Sequence, residues 1–163
     1  MISSHRANTG FTLIEILVTV AIVGVMASVV LPMMELTVQR SKEQELRSAL
    51  REIRGALDAY LVAGQEGRIA HSVTMSGYPP SLKTLVDGVT DARSPSGKSM
   101  IYFLRRIPRD PFYTDDESTA ADEQWGIRSY GSSADEPDEG EDVYDVYTRS
   151  SGVGLNGIAY KDW

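Results

Sequence analysis

The chain has no cysteine and only two histidines in its 163 residues. The first absence excludes disulfides, thiolate zinc sites and cysteine nucleophiles. The histidines, His5 and His71, stand far apart. No G-x-S-x-G, phosphate-binding glycine loop or H-E-x-x-H is present, so nothing selects an enzyme. Positive charge is also scarce: 16 Lys and Arg stand against 23 Asp and Glu, for a net charge of −7. The basic residues form no patch that could follow a phosphate backbone, which excludes nucleic acid as a partner. The same acidity disfavours docking of the polar part on an anionic lipid surface.

The composition, 42% hydrophobic and 24% charged, is that of a folded chain with one modest core. Its most unusual stretch runs from Phe11 to Met34, which holds one ionisable residue, Glu15. As a helix, a run of this length spans the roughly 30 Å hydrocarbon layer. A carboxylate inside such a run costs about 2.5–3.5 kcal/mol on insertion scales, which marks Glu15 as functional. The basic pair His5 and Arg6 precedes the run, so Met1–Gly10 is expected to be cytoplasmic and the remainder exported. No A-x-A cleavage site follows Met34. A plain signal anchor, with Glu15 reaching back to the headgroups, is the alternative to a processed segment. Gly24 and Pro32 introduce local flexibility, since Pro32 lacks an amide donor and Gly24 lacks a side chain.

Beyond Pro32 the apolar residues Leu46, Ala49, Leu50, Ile53, Ala56, Leu57, Tyr60 and Leu61 recur at helical spacing. Glu43 and Arg47 fall at i, i+4 and are expected on the outer face. Gly64 and Gly67 stop the pattern, giving a helix from about Thr12 to Ala63, roughly 78 Å long. Tyr78-Pro79-Pro80 sets an extended turn before a short helix from about Ser81 to Val86. Thr90 to Ser99 reads as a loop, and Met100 to Arg106 as a strand or helical turn. Asp110, flanked by Pro108 and Pro111, reads as a turn former. Tyr113 to Glu123 is an acidic exposed loop. Gln124–Ser132 and Asp142–Thr148 alternate like an antiparallel pair, with Val143, Asp145 and Tyr147 on one face and Tyr144 and Val146 on the other. Between them, six of the ten residues Ser133–Asp142 are acidic. Such a loop either holds a hard cation such as Ca²⁺ on its oxygens or is simply solvated.

Gly10-Phe11-Thr12-Leu13-Ile14-Glu15 resembles the prepilin peptidase site of type IV pilins and type II secretion pseudopilins. Tyr78-Pro79 and Pro108-Arg109-Asp110-Pro111-Phe112 resemble the major pseudopilins in particular. The resemblance implies an α+β pilin-like fold: a long N-terminal helix, membrane-spanning in its first half, packed against a small antiparallel β-sheet head. It implies a leader 1–10 cleaved between Gly10 and Phe11, N-methylation of Phe11, a transmembrane and filament-core helix 11–34, and a periplasmic domain 35–163 whose amphipathic helix covers about 35–63. Glu15 would pair with the amino terminus of an adjacent subunit, and Gly24 and Pro32 would let the helix loosen. The same resemblance suggests Ca²⁺, with Asp135, Asp138, Asp142 and Asp145 as ligands, although the family's glycine pair is missing here. Its implied partners are the chain itself as a homopolymer, other pseudopilins, prepilin peptidase, inner-membrane platform proteins, a secretion ATPase acting indirectly, and the lipid bilayer. The expected role is a structural pseudopilus subunit driving export across the outer membrane. A type IV pilin, a minor pseudopilin or a non-polymerising membrane-anchored periplasmic domain are the alternatives.

Overall fold

The computed structural model describes residues 10–69, 76–95, 97–114 and 118–163. His5, Arg6 and the rest of the leader before Gly10 lie outside the described residues, as does His71. Helix α1 covers Leu13–Gln65, and its backbone is helical through both Gly24 and Pro32. The chain divides into two compact units, one ending at Arg40 and the other comprising Ser41–Trp163.

In the first unit α1 is apolar on every side from Ile16 to Met34, and its described side chains there are exposed. Leu13, Val20, Val23, Val25 and Met33 are each more than three-fifths exposed. It belongs to the one helix of the described residues that is long and apolar enough to cross a membrane. Its few hydroxyls are satisfied within the helix. Thr19 donates to the Ile16 carbonyl at 2.8 Å, Ser28 to Val25 at 2.7 Å and Thr37 to Met33 at 2.8 Å. A segment that meets its own hydrogen-bonding needs can sit in hydrocarbon, which offers no partners.

In the second unit the expected apolar stripe is buried. Leu46, Ala49, Leu50, Ile53, Ala56, Leu57 and Tyr60 face the core, while Leu61 packs at its edge. Gly67 ends α1 with φ of +68°. The Arg68 amide donates to the Ala63 carbonyl and the Gly67 amide to Gly64, both at 2.9 Å. This six-to-one and five-to-two pair closes the last turn, and it needs a left-handed residue at Gly67. Helix α2 (Leu82–Asp87) adds fully buried Leu82 and Leu85.

The strands form two separate ladders. β1 (Val89–Thr90) pairs antiparallel with β2 (Met100–Ile101), so the loop expected over Thr90–Ser99 is the connection of a short hairpin. β3 (Trp125–Arg128) pairs antiparallel with β4 (Asp145–Thr148), with Trp125 opposite Thr148 and Ile127 opposite Val146. Both are shorter than the alternation suggested. Val143 and Val146 are both buried despite their opposite parity, because β4 begins only at Asp145. Val143 instead crosses to the Tyr78-Pro79 turn, its amide donating to the Pro79 carbonyl at 2.8 Å. The chain ends in a 3₁₀ turn, Tyr160–Asp162. There Tyr160 stacks on Phe112 with ring centroids 4.1 Å apart.

Candidate assembly site at the start of the long helix

Gly10 and Phe11 precede α1 in an exposed segment. A methyl group on Gly10 would meet nothing within 4 Å, and Phe11 is 81% exposed. Thr12 and Glu15 then form a reciprocal cap. The Glu15 amide donates to Thr12 Oγ1 at 3.3 Å, while the Thr12 hydroxyl and amide donate to Glu15 Oε2 at 3.3 and 3.4 Å. This T-x-x-E capping box satisfies otherwise orphan amides at a helix start. It holds the carboxylate at the helix N-terminus, where the backbone dipole favours negative charge. All these contacts are long and exposed. Thr12 is a residue that the reading of Glu15 alone overlooks, although its spacing from Glu15 carries the signal. Gly24 has open space around it, and Pro32 lies within the same helix.

The acidic stretch takes an irregular path between β3 and β4. The Ser129 amide donates to the Asp138 carbonyl at 3.0 Å, and the Glu136 amide to Ser133 Oγ at 3.0 Å. The four aspartates suggested as cation ligands do not converge. Among the described residues no three acidic or imidazole side chains come together as a metal site. Asp142 is buried and its Oδ1 accepts the Tyr130 amide at 2.8 Å. Asp145 Oδ1 accepts Arg54 Nε at 2.7 Å and its Oδ2 accepts Arg128 Nη2 at 3.2 Å. Asp138 is exposed, and Asp135 lines a cavity of about 540 Å³ that Arg54, Arg128 and Lys161 also line. Guanidinium groups thus hold both oxygens of Asp145, one of the four suggested ligands.

Asp110 is structural, as its turn-forming context suggests. It is buried, its Oδ1 accepts the Phe112 amide at 2.8 Å, and Thr148 Oγ1 donates to its Oδ2. Trp125 Nε1 donates to the Pro108 carbonyl at 2.9 Å, so the proline stretch is pinned to β3 and β4 together. Burial raises the Tyr78 phenol above its ordinary value, with Tyr144 adding to the effect. The two rings meet edge to face at 5.1 Å.

Residues 5–31 match the prokaryotic N-terminal methylation motif. With that motif opening an uncovered apolar helix on an α+β head, the chain is pilin-like. It is 33% identical over 116 residues to the type II secretion system core protein G of Pectobacterium carotovorum subsp. carotovorum, covering 69% of this chain and 67% of that protein. It therefore belongs to the family of the type II secretion system core protein G, a pseudopilin family. The core protein G of Vibrio cholerae serotype O1 is 28% identical over 138 residues, 83% of this chain and 87% of the relative. The type IV major fimbrial protein FimA of Dichelobacter nodosus is 36% identical, but over 59 residues only, 36% of this chain and 38% of that protein. No solved structure matches the chain.

Proposed function

We propose that the chain is the repeating structural subunit of a type II secretion pseudopilus, released from the membrane into the filament after processing between Gly10 and Phe11. One observation carries this reading: Glu15 is held at the start of an apolar helix that has no cover of its own. Prepilin peptidase cuts after Gly10, and the freed amino group of Phe11 is methylated. Removing the leader exposes a cation four residues before Glu15. Within a bundle of such helices an unpaired ammonium is costly, and the carboxylate of a neighbouring copy offsets it. Glu15 exchanges its long bonds to Thr12 for that partner, and the pairing sets the axial step between subunits. The chain is anchored by one span in the inner membrane with its head in the periplasm. Assembly proceeds with other pseudopilins on inner-membrane platform proteins, driven indirectly by a secretion ATPase.

Intact-mass spectrometry of the chain purified from cells with active peptidase tests the processing step. The expected species begins at Phe11 and is heavier than the unmodified sequence by one methyl group. A chain that keeps Met1–Gly10 contradicts the proposal.

A further inference from the structure

Arg54 and Arg128 reach Asp145 from two different elements, α1 and β3. Arg54 lies on α1 and donates through two of its guanidinium nitrogens. Its Nε meets Asp145 Oδ1 at 2.7 Å, and its Nη2 donates to the Val146 carbonyl at 3.2 Å and the Trp163 carbonyl at 2.8 Å. Arg128, on β3, donates to Asp145 Oδ2 at 3.2 Å and lies over the Tyr144 ring at 4.7 Å. Both carboxylate oxygens of Asp145 are thereby engaged, and the Asp145 side chain is only 24% exposed. The cavity beside it is lined by three cationic side chains, Arg54, Arg128 and Lys161, against three carboxylates, Asp135, Asp145 and Asp162. A site for a hard divalent cation needs oxygen charge free to meet it, and here both oxygens of Asp145 already meet guanidinium groups. A planar, permanently charged guanidinium bridges a carboxylate and nearby carbonyls in a way no ammonium can.

We propose that Arg54 and Arg128 form a guanidinium clamp on Asp145 that fastens the start of β4 and the chain end to α1, so that this head folds and holds its acidic loop without a divalent cation. The clamp takes the place of the calcium that the family resemblance suggests. The fold of the subunit is then indifferent to the divalent cation concentration around it. This inference concerns the head alone and stands whether or not the chain polymerises.

The test is thermal unfolding of the full processed chain in detergent, with millimolar calcium and with chelator, for the wild type and for Arg54→Gln, Arg128→Gln and Arg54→Lys. The wild-type midpoint is expected to be the same in calcium and in chelator. Each Gln variant is expected to melt lower by about 3 °C or more, because it leaves a part-buried carboxylate short of a partner. Arg54→Lys is expected between them, since it keeps the charge and loses the bridge. The wild-type comparison and the lysine variant remain informative if a Gln variant does not fold. A calcium-dependent rise in the wild-type midpoint overturns the proposal, because a bound ligand stabilises by mass action. Gln variants that melt like the wild type overturn it as well.

Discussion

Asp110 joins two segments through one carboxylate: its own turn, by the Phe112 amide, and β4, by the buried hydroxyl of Thr148. Its own amide is held by Gln124 Oε1 at 3.2 Å. Asp110→Ala leaves two buried donors without acceptors, and we expect it to cost about 2–4 kcal/mol. Asp110→Asn keeps an acceptor for Phe112 and can donate to Thr148, so its cost should be nearer 1 kcal/mol. Urea denaturation of the two variants checks the order; equal losses would mean the charge itself matters. Asp110 was legible as a turn residue from its flanking prolines, but its contact with Thr148, 38 positions on, was not. Glu43 was misread for the same reason. Its spacing from Arg47 suggested the outer face, yet it is buried. Its Oε1 accepts the Leu155 amide at 2.8 Å and the Tyr160 hydroxyl at 3.0 Å. Local spacing specifies which residues can meet on one helix, not which face the distant chain end will cover.

At the scale of elements, periodicity located α1 and its buried stripe well, because one period holds over many turns and a glycine pair closes it. The β3–β4 ladder was also legible, though too long at both ends: Tyr130 lies past β3 and is 62% exposed. The β1–β2 hairpin was legible only in part: Met100–Arg106 left strand and helical turn open and β1 went unread, since a two-residue strand cannot show alternation. The clamp could not be read either, with Arg54 and Asp145 separated by 91 residues. Within β3–β4, Gly126 is opposite Tyr147, and an added Cβ would lie 2.4 Å from its ring. The ring therefore occupies the space a side chain would need. Gly126→Ala is expected to destabilise the head by about 1–3 kcal/mol through overpacking. The double variant Gly126→Ala, Tyr147→Ala should lose less than the two single losses added together. Additive losses, measured by denaturant titration, would show that the ring is not what excludes the side chain.

At the scale of the whole molecule, the chain combines a head with its own core and a helix start with none. The described side chains of the apolar run up to Met34 are exposed. Such a surface is stable only in lipid or against other copies of itself. On the proposed pairing, Glu15 gives those two environments different energies, because a carboxylate is costly in lipid and would be paired in a bundle. The sequence motif made this end of the molecule readable at once, and the structure added the Thr12 cap that holds the carboxylate at the helix start. On the proposed mechanism, copies join through Glu15. Chemical cross-linking of membranes from cells expressing the full secretion machinery tests it most directly. The wild type is expected to give a ladder of homomultimers. Glu15→Leu should remove the ladder while leaving the monomer at normal abundance in the membrane. A wild type that cross-links only as monomer, or a Glu15→Leu variant with an unchanged ladder, would contradict the account.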